Sequence, residues 1–407
     1  MVSVPGQEIN PEVLNSLISR IFIVEDVTMG NPQLGYLVRY RGRLRGEDSA
    51  AAYDQIAESL RPLAITPLFR IEKDRQAIIL VNGVVKSRPS NPWVNGALAV
   101  LTIFSVLIAG GYYAATTDPF SNGISMQTLE RLLAAGLPYG LSLMAILGAH
   151  EFGHYLVGRF HKTQVTLPYF LPMPFPGTFG TLGAFINMKE PPKNRRILLD
   201  IGIAGPLAGL IVAIPVLLYG LSLSGVDRLP LLSDHIGFQL EGNSIIYLAS
   251  KFLMFHRLLP APISYGGLSP LVYWLRYFIT SQPLPYGGTD VILNPIAWAG
   301  WVGILVTALN LIPAGQLDGG HMMYVLLGKG RAQKVLPVIL AVLVALGFVW
   351  TGWWLWAALI FLLGRVYAEP LDQITTLDPP RKALAVLAII IFFLVFTPVP
   401  LVYFLGG

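Results

Sequence analysis

The sequence predicts a polytopic α-helical membrane protein with a small N-terminal α+β soluble domain. The chain has 407 residues, of which 54% are hydrophobic and only 13% are charged, whereas a soluble domain carries about 25% charged residues. Of its 51 Asp, Glu, Lys and Arg residues, 21 fall within residues 1–90. One soluble core cannot bury so much apolar surface in a chain of this size. The remainder, residues 91–407, is therefore expected to lie largely in a bilayer.

Composition also excludes several classes of protein. There is no cysteine, which excludes disulfides and cysteine nucleophiles. The net charge of +5 comes without a basic run interleaved with aromatic residues, so we expect no nucleic-acid partner. The first 30 residues lack the basic start and apolar core of a signal peptide, and their acidic residues argue against a transit peptide.

Residues 1–90 are expected to fold as a soluble α+β domain. Residues 21–24 and 36–40 have the composition of strands, and residues 49–60 carry apolar residues at helical spacing after two acidic residues. Residues 68–71 and 77–81 flank a polar turn and are predicted to form a strand pair. Two prolines within residues 87–92 mark the linker to the membrane domain.

The membrane domain is predicted to contain about seven spans, although six to eight would fit the pattern. The fifth and sixth are short for a bilayer, and residues 268–279 could be an interfacial or re-entrant helix. The predicted spans cover residues 93–116, 129–157, 197–223, 291–311, 335–350, 353–364 and 383–403.

The distribution of Lys and Arg predicts that the N-terminal domain is cytoplasmic, because loops on that side carry an excess of positive charge. Twelve such residues would then lie in inside loops and four in outside loops. The inside residues are Arg159, Lys162, Lys189, Lys193, Arg195, Arg196, Lys329, Arg331, Lys334, Arg365, Arg381 and Lys382. The outside residues are Arg228, Lys251, Arg257 and Arg276.

One predicted span contains the sequence H-E-x-x-H. His150 and His154 are four residues apart, so on a helix both imidazoles can reach one metal ion. Glu151 is placed to contact a water on that metal. A charge inside a span costs about 2.5–3.5 kcal/mol on insertion scales, so an idle glutamate there is not expected.

Asp318 is the expected third ligand, because a catalytic zinc takes three protein ligands and leaves one position for water. It follows the fourth predicted span, at a depth similar to that of the two histidines. Pro313 and Gly315 are expected to break the helix before it. Gly319 and Gly320 are expected to let the backbone approach the metal closely.

Together, H-E-x-x-H in one span and N-x-x-P-x-x-x-L-D-G in a later one resemble the site-2 protease family of intramembrane zinc metalloproteases. The small N-terminal domain resembles the cyanobacterial and plastid branch of that family. The resemblance covers about residues 93–330 and implies a catalytic core at about 129–330. It implies one Zn²⁺ per chain, held by His150, His154 and Asp318, with Glu151 as general base.

The resemblance also implies a membrane-associated β-hairpin beside the catalytic helix, which pairs with the unwound substrate. Residues 177–188 would supply it, with Gly180, Gly183 and Asn187 as substrate-binding residues. A Gly-rich surface hairpin is the alternative. The proline-rich stretch 167–176 is expected to be a stiff loop without strand pairing.

Two further residues near Asp318 have open roles. Asn310 could hold the substrate carbonyl or support the metal-binding segment. His321 could contact a metal ligand, stabilise the oxyanion, or lie at an interface.

The expected function is hydrolysis of peptide bonds in or near transmembrane segments, as in regulated intramembrane proteolysis. The expected partners are transmembrane protein or peptide substrates and the lipid bilayer, in either a bacterial cytoplasmic or a thylakoid membrane. A non-proteolytic metal transporter or membrane chaperone is the alternative. The sequence names neither the substrate nor the oligomeric state.

Overall fold

A computed structural model describes most of the chain. The described residues are 2–4, 7–9, 11–30, 35–72, 75–83, 90–115, 119–120, 123, 125–175, 177–231, 234 and 238–404. Residues 87–89 of the predicted linker lie outside them, and its last residue, Pro92, is the first residue of a helix.

The N-terminal region forms two helices, a two-stranded sheet (Val2–Val4 and Gln7–Ile9) and a four-stranded antiparallel sheet. The strands of the larger sheet lie in the order Phe22–Met29 (β3), Val38–Leu44 (β4), Arg75–Asn82 (β6) and Ile65–Glu72 (β5). Residues of β4 and β6 alternate between buried and more exposed, which places one face of the sheet against the core. The elements are β1 (Val2–Val4), β2 (Gln7–Ile9), α1 (Pro11–Ile21), β3 (Phe22–Met29), β4 (Val38–Leu44), α2 (Ser49–Leu60), β5 (Ile65–Glu72) and β6 (Arg75–Asn82).

Helix α2 coincides with the predicted helix at residues 49–60. Asp48 caps it, because the side chain accepts from the backbone N–H of Ala50 and Ala51. Helix α1 was not predicted, although Leu14, Ile18 and Ile21 recur at helical spacing and are buried. The strands are longer than expected, because backbone pairing extends beyond the apolar residues that indicate them.

The rest of the chain is mainly helical. Its helices are α3 (Pro92–Ala114), α4 (Met126–Phe160), α5 (Arg195–Ser222), α6 (Ile245–Phe255), α7 (Pro270–Thr280), α8 (Pro295–Asn310), α9 (Asp318–Leu327), α10 (Lys329–Gly347), α11 (Gly352–Leu363) and α12 (Pro379–Val395). Its strands are β7 (Tyr169–Pro172), β8 (Thr181–Phe185), β9 (Gly225–Arg228), β10 (Phe238–Glu241), β11 (Thr289–Ile292) and β12 (Leu401–Phe404).

Within the described residues, four helices are long and apolar enough to cross a membrane: α3, α4, α5 and α10. Helices α8 and α11 are shorter apolar helices, so the expected count of about seven spans stays a prediction. The seventh expected span, residues 383–403, does not form one helix. Helix α12 ends at Val395, and β12 pairs with β10 instead, because Pro398 and Pro400 cannot continue the helix.

Helix α4 lies at the centre of the helical region and packs against α3, α5 and α8. Its glycines permit this close approach. A Cβ atom on Gly136 would lie 1.9 Å from the carbonyl oxygen of Leu107 in α3. A Cβ atom on Gly153 would lie 2.6 Å from the carbonyl oxygen of Ala204 in α5. Helix α4 therefore packs closely against α3 and α5.

Strands β7 and β8 form an antiparallel hairpin after α4. The expectation that residues 167–176 form no strand pairing is wrong, since β7 lies inside that stretch. The prolines limit β7 instead of preventing it. Pro168 precedes the strand, and the register shifts between Leu171 and Pro172, where a ladder N–H is missing.

Candidate active site

His150 and His154 lie on one face of α4, as their spacing predicts. Their ring centroids are 5.0 Å apart. The two residues are only 3% and 6% exposed. A buried pair of imidazoles on adjacent helical turns provides two nitrogen ligands at one point.

Asp318 lies beside the two histidines and comes from a separate helix, α9. Helix α8 ends at Asn310, an irregular turn follows, and Asp318 is the first residue of α9. Its Oδ2 lies 3.3 Å from Nε2 of His150, and its Oδ1 lies 3.4 Å from Nε2 of His154. One ligand atom from each of the three residues lies within 4.8 Å of the others.

The two distances between histidine and Asp318 are close to the spacing of ligand atoms in a tetrahedral zinc site. With zinc–ligand bonds of about 2.0–2.1 Å, two ligand atoms of a tetrahedron stand roughly 3.4 Å apart. His154 is also oriented for this role, since its Nδ1 lies 2.7 Å from the carbonyl oxygen of Ile201. A proton on Nδ1 donated to that carbonyl leaves Nε2 with its lone pair toward Asp318.

Two glycines of α5 make room for the imidazoles. A Cβ atom on Gly205 would lie 2.0 Å from Nε2 of His154. A Cβ atom on Gly209 would lie 3.1 Å from Nδ1 of His150. Any larger side chain at Gly205 would occupy the position of the ligand nitrogen.

Gly319 and Gly320 have a different role from the expected one. A Cβ atom on Gly319 would lie 2.0 Å from the carbonyl oxygen of Leu311, and one on Gly320 would lie 2.3 Å from that of Gly315. These glycines therefore let α9 fold back against the turn that precedes it. They position Asp318 through the backbone, and the close approach that they permit is to the turn.

Glu151 lies beside the ligand atoms and is 3% exposed. Among the described residues, its Oε2 has no hydrogen-bond partner. The side chain lines a cavity of about 140 Å³ together with both histidines and Asp318. A carboxylate that lines a cavity beside three metal-type ligands is placed to accept a proton from a water molecule there.

Asn310 and His321 both line this cavity. Nδ2 of Asn310 lies 3.4 Å from Nε2 of His150. His321 is 9% exposed, and its Nδ1 lacks a hydrogen-bond partner among the described residues. Gln316 also lines the cavity, although a lone glutamine in a turn carries no sequence signal that would identify it.

The three hairpin residues expected to bind substrate, Gly180, Gly183 and Asn187, have different surroundings. Gly183 lies in β8 with φ +100, and no described atom outside its neighbours lies within 4 Å of the position of a Cβ. Gly180 packs against α3, where a Cβ would lie 2.6 Å from Cα of Val106. Asn187 hydrogen-bonds through its backbone to Thr166. Ala184, Phe185, Ile186 and Met188 line the catalytic cavity instead.

The comparison with family models gives one assignment. Residues 139–350, more than half of the chain, match the model described as peptidase family M50. This interval contains both histidines, Glu151 and Asp318.

Several curated relatives are plant proteins described as chloroplastic. A probable zinc metalloprotease EGY2, chloroplastic, from Oryza sativa subsp. indica is 28% identical over 387 residues, which cover 92% of this chain. The protein of the same description from Arabidopsis thaliana is 27% identical over 391 residues, or 93% of the chain. A probable zinc metalloprotease EGY1, chloroplastic, from Arabidopsis thaliana is 28% identical over 291 residues.

The aligned part of this chain spans 63% of the length of either EGY2 relative and 47% of the EGY1 relative. No solved structure matches this chain.

Proposed function

The chain belongs to peptidase family M50, the site-2 protease family, and from that premise we propose that it is an intramembrane zinc metalloprotease. It would hydrolyse peptide bonds in or near transmembrane segments of membrane-protein substrates. The observation that carries this proposal is the convergence of His150, His154, Asp318 and Glu151 on one buried cavity between apolar helices.

His150, His154 and Asp318 would hold the metal, with one position left for water. A bound zinc lowers the pKa of its water to about 7 and polarises a carbonyl group. Glu151 would accept the proton of that water and deliver it to the leaving amine. The Nδ2 amide of Asn310 lies near enough to the ligands to donate to the substrate carbonyl or to hold His150.

A helical substrate must unwind before it can react, because its carbonyls are held in i to i+4 hydrogen bonds. Strand β8 is suited to receive the unwound chain. It pairs only with β7 in the described sheet, and the next residues along the chain line the catalytic cavity. Strand addition at this edge would place a substrate carbonyl beside Glu151. Gly183 leaves room for such an approach, whereas Gly180 supports the hairpin against α3.

The four long apolar helices and the family membership indicate an integral membrane protein. We place the N-terminal domain on the cytoplasmic side, from the distribution of Lys and Arg. The relatives are described as chloroplastic, which is compatible with a thylakoid membrane. The alternative of a transporter or chaperone is not favoured, because the relatives are described as probable zinc metalloproteases.

Replacement of the proposed base separates catalysis from metal binding. We expect Glu151→Gln to lower the cleavage rate of a single-span model substrate about 10²–10⁴-fold, the usual contribution of a general base, with one zinc per chain retained. Glu130→Gln is the matched control, since Glu130 is exposed on the same helix. The rate and the zinc content are measured on the same purified preparations. Undiminished cleavage by Glu151→Gln would rule out the proposed mechanism.

A further inference from the structure

The segment between α11 and α12, residues 364–378, forms hydrogen bonds both with the N-terminal domain and with the helical region. We term it the connecting segment. Its residues 371–373 lie parallel to β5. The N–H of Phe69 donates to the carbonyl of Leu371 at 2.9 Å, and the N–H of Gln373 donates to the carbonyl of Phe69 at 3.0 Å. The connecting segment therefore adds a short strand-like segment, with one β-bridge at Asp372, to the edge of the N-terminal sheet.

On the side that faces away from β5, the same residues pair with residues 192–194, which lead into α5. The N–H of Leu371 donates to the carbonyl of Pro192 at 3.0 Å, and the N–H of Asp372 donates to the carbonyl of Lys193 at 2.8 Å. Asp372 thus has bridge partners on both sides, Phe69 and Asn194. A single short strand holds the N-terminal sheet and residues 192–194 together.

The side chain of Asp372 fixes this strand. It is fully buried. Its Oδ1 accepts from the backbone N–H of Ile374 at 2.7 Å and of Thr375 at 3.2 Å. Its Oδ2 accepts from the hydroxyls of Ser49, the first residue of α2, and of Thr375. Four donors satisfy the buried carboxylate, and one of them belongs to the N-terminal domain.

Two more contacts make the connecting segment part of the N-terminal domain. Nη1 of Arg70 donates to the carbonyls of Pro370 and Leu371 at 3.0 and 2.9 Å. Ile374 is 7% exposed and belongs to the hydrophobic core of the N-terminal domain, which includes Phe69. The boundary predicted near residue 90 therefore leaves out a strand that this domain takes from the C-terminal part of the chain.

Residues 192–194 are continuous in sequence with the rim of the active site. Residues 184–186 and Met188 line the catalytic cavity, and Ile201 of α5 accepts the hydrogen bond from His154. A second cavity of about 460 Å³ is bounded by residues 186–192, Gln316, His321 and residues 368–369. It shares Ile186, Met188, Gln316 and His321 with the catalytic cavity. The connecting segment itself contributes Ala368 and Glu369 to the lining of this second cavity.

We propose that the N-terminal domain positions the substrate-binding rim of the active site through the connecting segment, with Asp372 as the positioning residue. Loss of the Asp372 carboxylate would leave the zinc ligands and Glu151 in place but release residues 184–194. The substrate would then bind to residues 184–194 in a more mobile state. The enzymatic part of this proposal rests on the proposed protease function, and the structural part does not.

The test uses the full chain in detergent micelles and compares wild type, Asp372→Ala, Asp372→Asn and Glu47→Gln. Glu47 is an exposed control just before α2. Hydrogen exchange is followed in peptides from residues 184–194. We expect exchange there to become at least roughly tenfold faster in Asp372→Ala, as for the loss of a buried charge-assisted hydrogen-bond group. Asp372→Asn should be intermediate, because its amide oxygen can still accept from Ile374 and Thr375.

Steady-state kinetics with a single-span model substrate provide the second readout. We expect Asp372→Ala to raise KM severalfold with a smaller change in kcat, and to retain one zinc per chain. Ser49→Ala, which removes only one donor, replaces Asp372→Ala in both readouts if the latter does not fold. Unchanged exchange in residues 184–194, with faster exchange confined to the N-terminal domain, would overturn the proposal. So would loss of zinc in parallel with activity.

The two proposals fail in different ways. If the wild-type protein does not cleave the substrate, or if Glu151→Gln cleaves it, the proposed function fails, and the exchange data still decide whether the domains are coupled. If the wild type cleaves and Asp372→Ala leaves both KM and the exchange of residues 184–194 unchanged, only the positioning role fails.

Discussion

Two buried clusters of ionisable residues in the helical part of the chain differ in how their charge is balanced. In the first, His150, His154 and Asp318 direct their ligand atoms toward one another at a cavity. In the second, Nζ of Lys251 lies 3.5 Å from Asp290. It also stands 4.4 Å above the ring of Tyr247, whose hydroxyl donates to Glu241 at 2.6 Å.

The first cluster needs an external cation to balance its charge, whereas the second cluster contains a cation of its own, Lys251. Lys251 supplies the positive charge of the second cluster from within the chain, so the cluster is a structural ion network. The first cluster offers a ligand set and a free carboxylate oxygen on Glu151, and a metal ion would complete it. We therefore expect substitutions in the first cluster to abolish metal binding and activity, and substitutions in the second to affect stability.

The largest effect is expected for Asp318→Ala. Replacement of residues that merely orient a metal ligand costs about 10–100-fold in metal affinity or activity, and removal of a ligand should cost more. Zinc content should fall close to zero, and cleavage of a model substrate should fall with it. Metal analysis of the purified protein checks the first point. If Asp318→Ala retained stoichiometric zinc, the two clusters would not differ as described.

Lys251→Met should show the opposite pattern. It leaves Asp290 and Glu241 buried without the ammonium group, and breaking a buried ion pair costs about 3–5 kcal/mol. We expect a clear fall in thermal stability, with zinc stoichiometry and the cleavage rate of the folded fraction close to wild type. Arg257→Met serves as a control in the same region, since Arg257 is exposed. Specific loss of zinc in Lys251→Met would show that the second cluster also supports the metal.

Gly205→Ala tests whether the space between α4 and α5 is part of the first cluster. The added methyl group would overlap Nε2 of His154. Overpacking of this kind costs about 1–3 kcal/mol, and here it should also weaken zinc binding. Gly148→Ala is the matched control, because no described atom outside its neighbours and its own helix backbone lies within 4 Å of the added Cβ position. Equal zinc affinity in the two variants would contradict this role of Gly205.

The smallest effect is a pH dependence of stability from the second cluster. Burial, followed by the nearby Asp290 carboxylate, raises the pKa of Glu241 from 4.5 to about 7. The folded protein therefore binds this proton more tightly than the unfolded chain does. The resulting stability is complete below pH about 4.5 and is lost as the pH rises through about 7.

Thermal unfolding of wild type and Glu241→Gln between pH 4.5 and 8 checks this dependence. The wild type should lose more stability over this range than the variant, which cannot ionise. Identical pH profiles of wild type and variant would show that folding does not raise the pKa of Glu241.

The sequence alone predicts the helical membrane character, the N-terminal α+β fold and the site residues His150, Glu151 and His154, because their signals are local. Helical spacing places His150 and His154 on one face, and charge inside an apolar stretch marks Glu151. Asp318 is predicted from the need for a third zinc ligand and from its depth, and the family resemblance implies the same role. The role of these residues in catalysis stays a prediction that the geometry supports.

Features that depend on contacts distant in sequence were not predicted. The proximity of Gly205 to His154 arises from the packing of α5 on α4. Asp372 lies in a short polar stretch with no periodic pattern, and its burial results from two separate segments that pair on either side of it. Strand β12 begins within an apolar stretch, residues 383–403, whose length and composition are those of a membrane span.

The most direct test of the central claim locates the cut in a single-span model substrate reconstituted with the purified protein in lipid vesicles. Mass spectrometry of the products should show a new carboxyl terminus within or beside the apolar segment for the wild type, and none for Glu151→Gln carrying equal zinc. A cut confined to regions remote from the apolar segment, or one that persists in Glu151→Gln, would contradict intramembrane hydrolysis by this site.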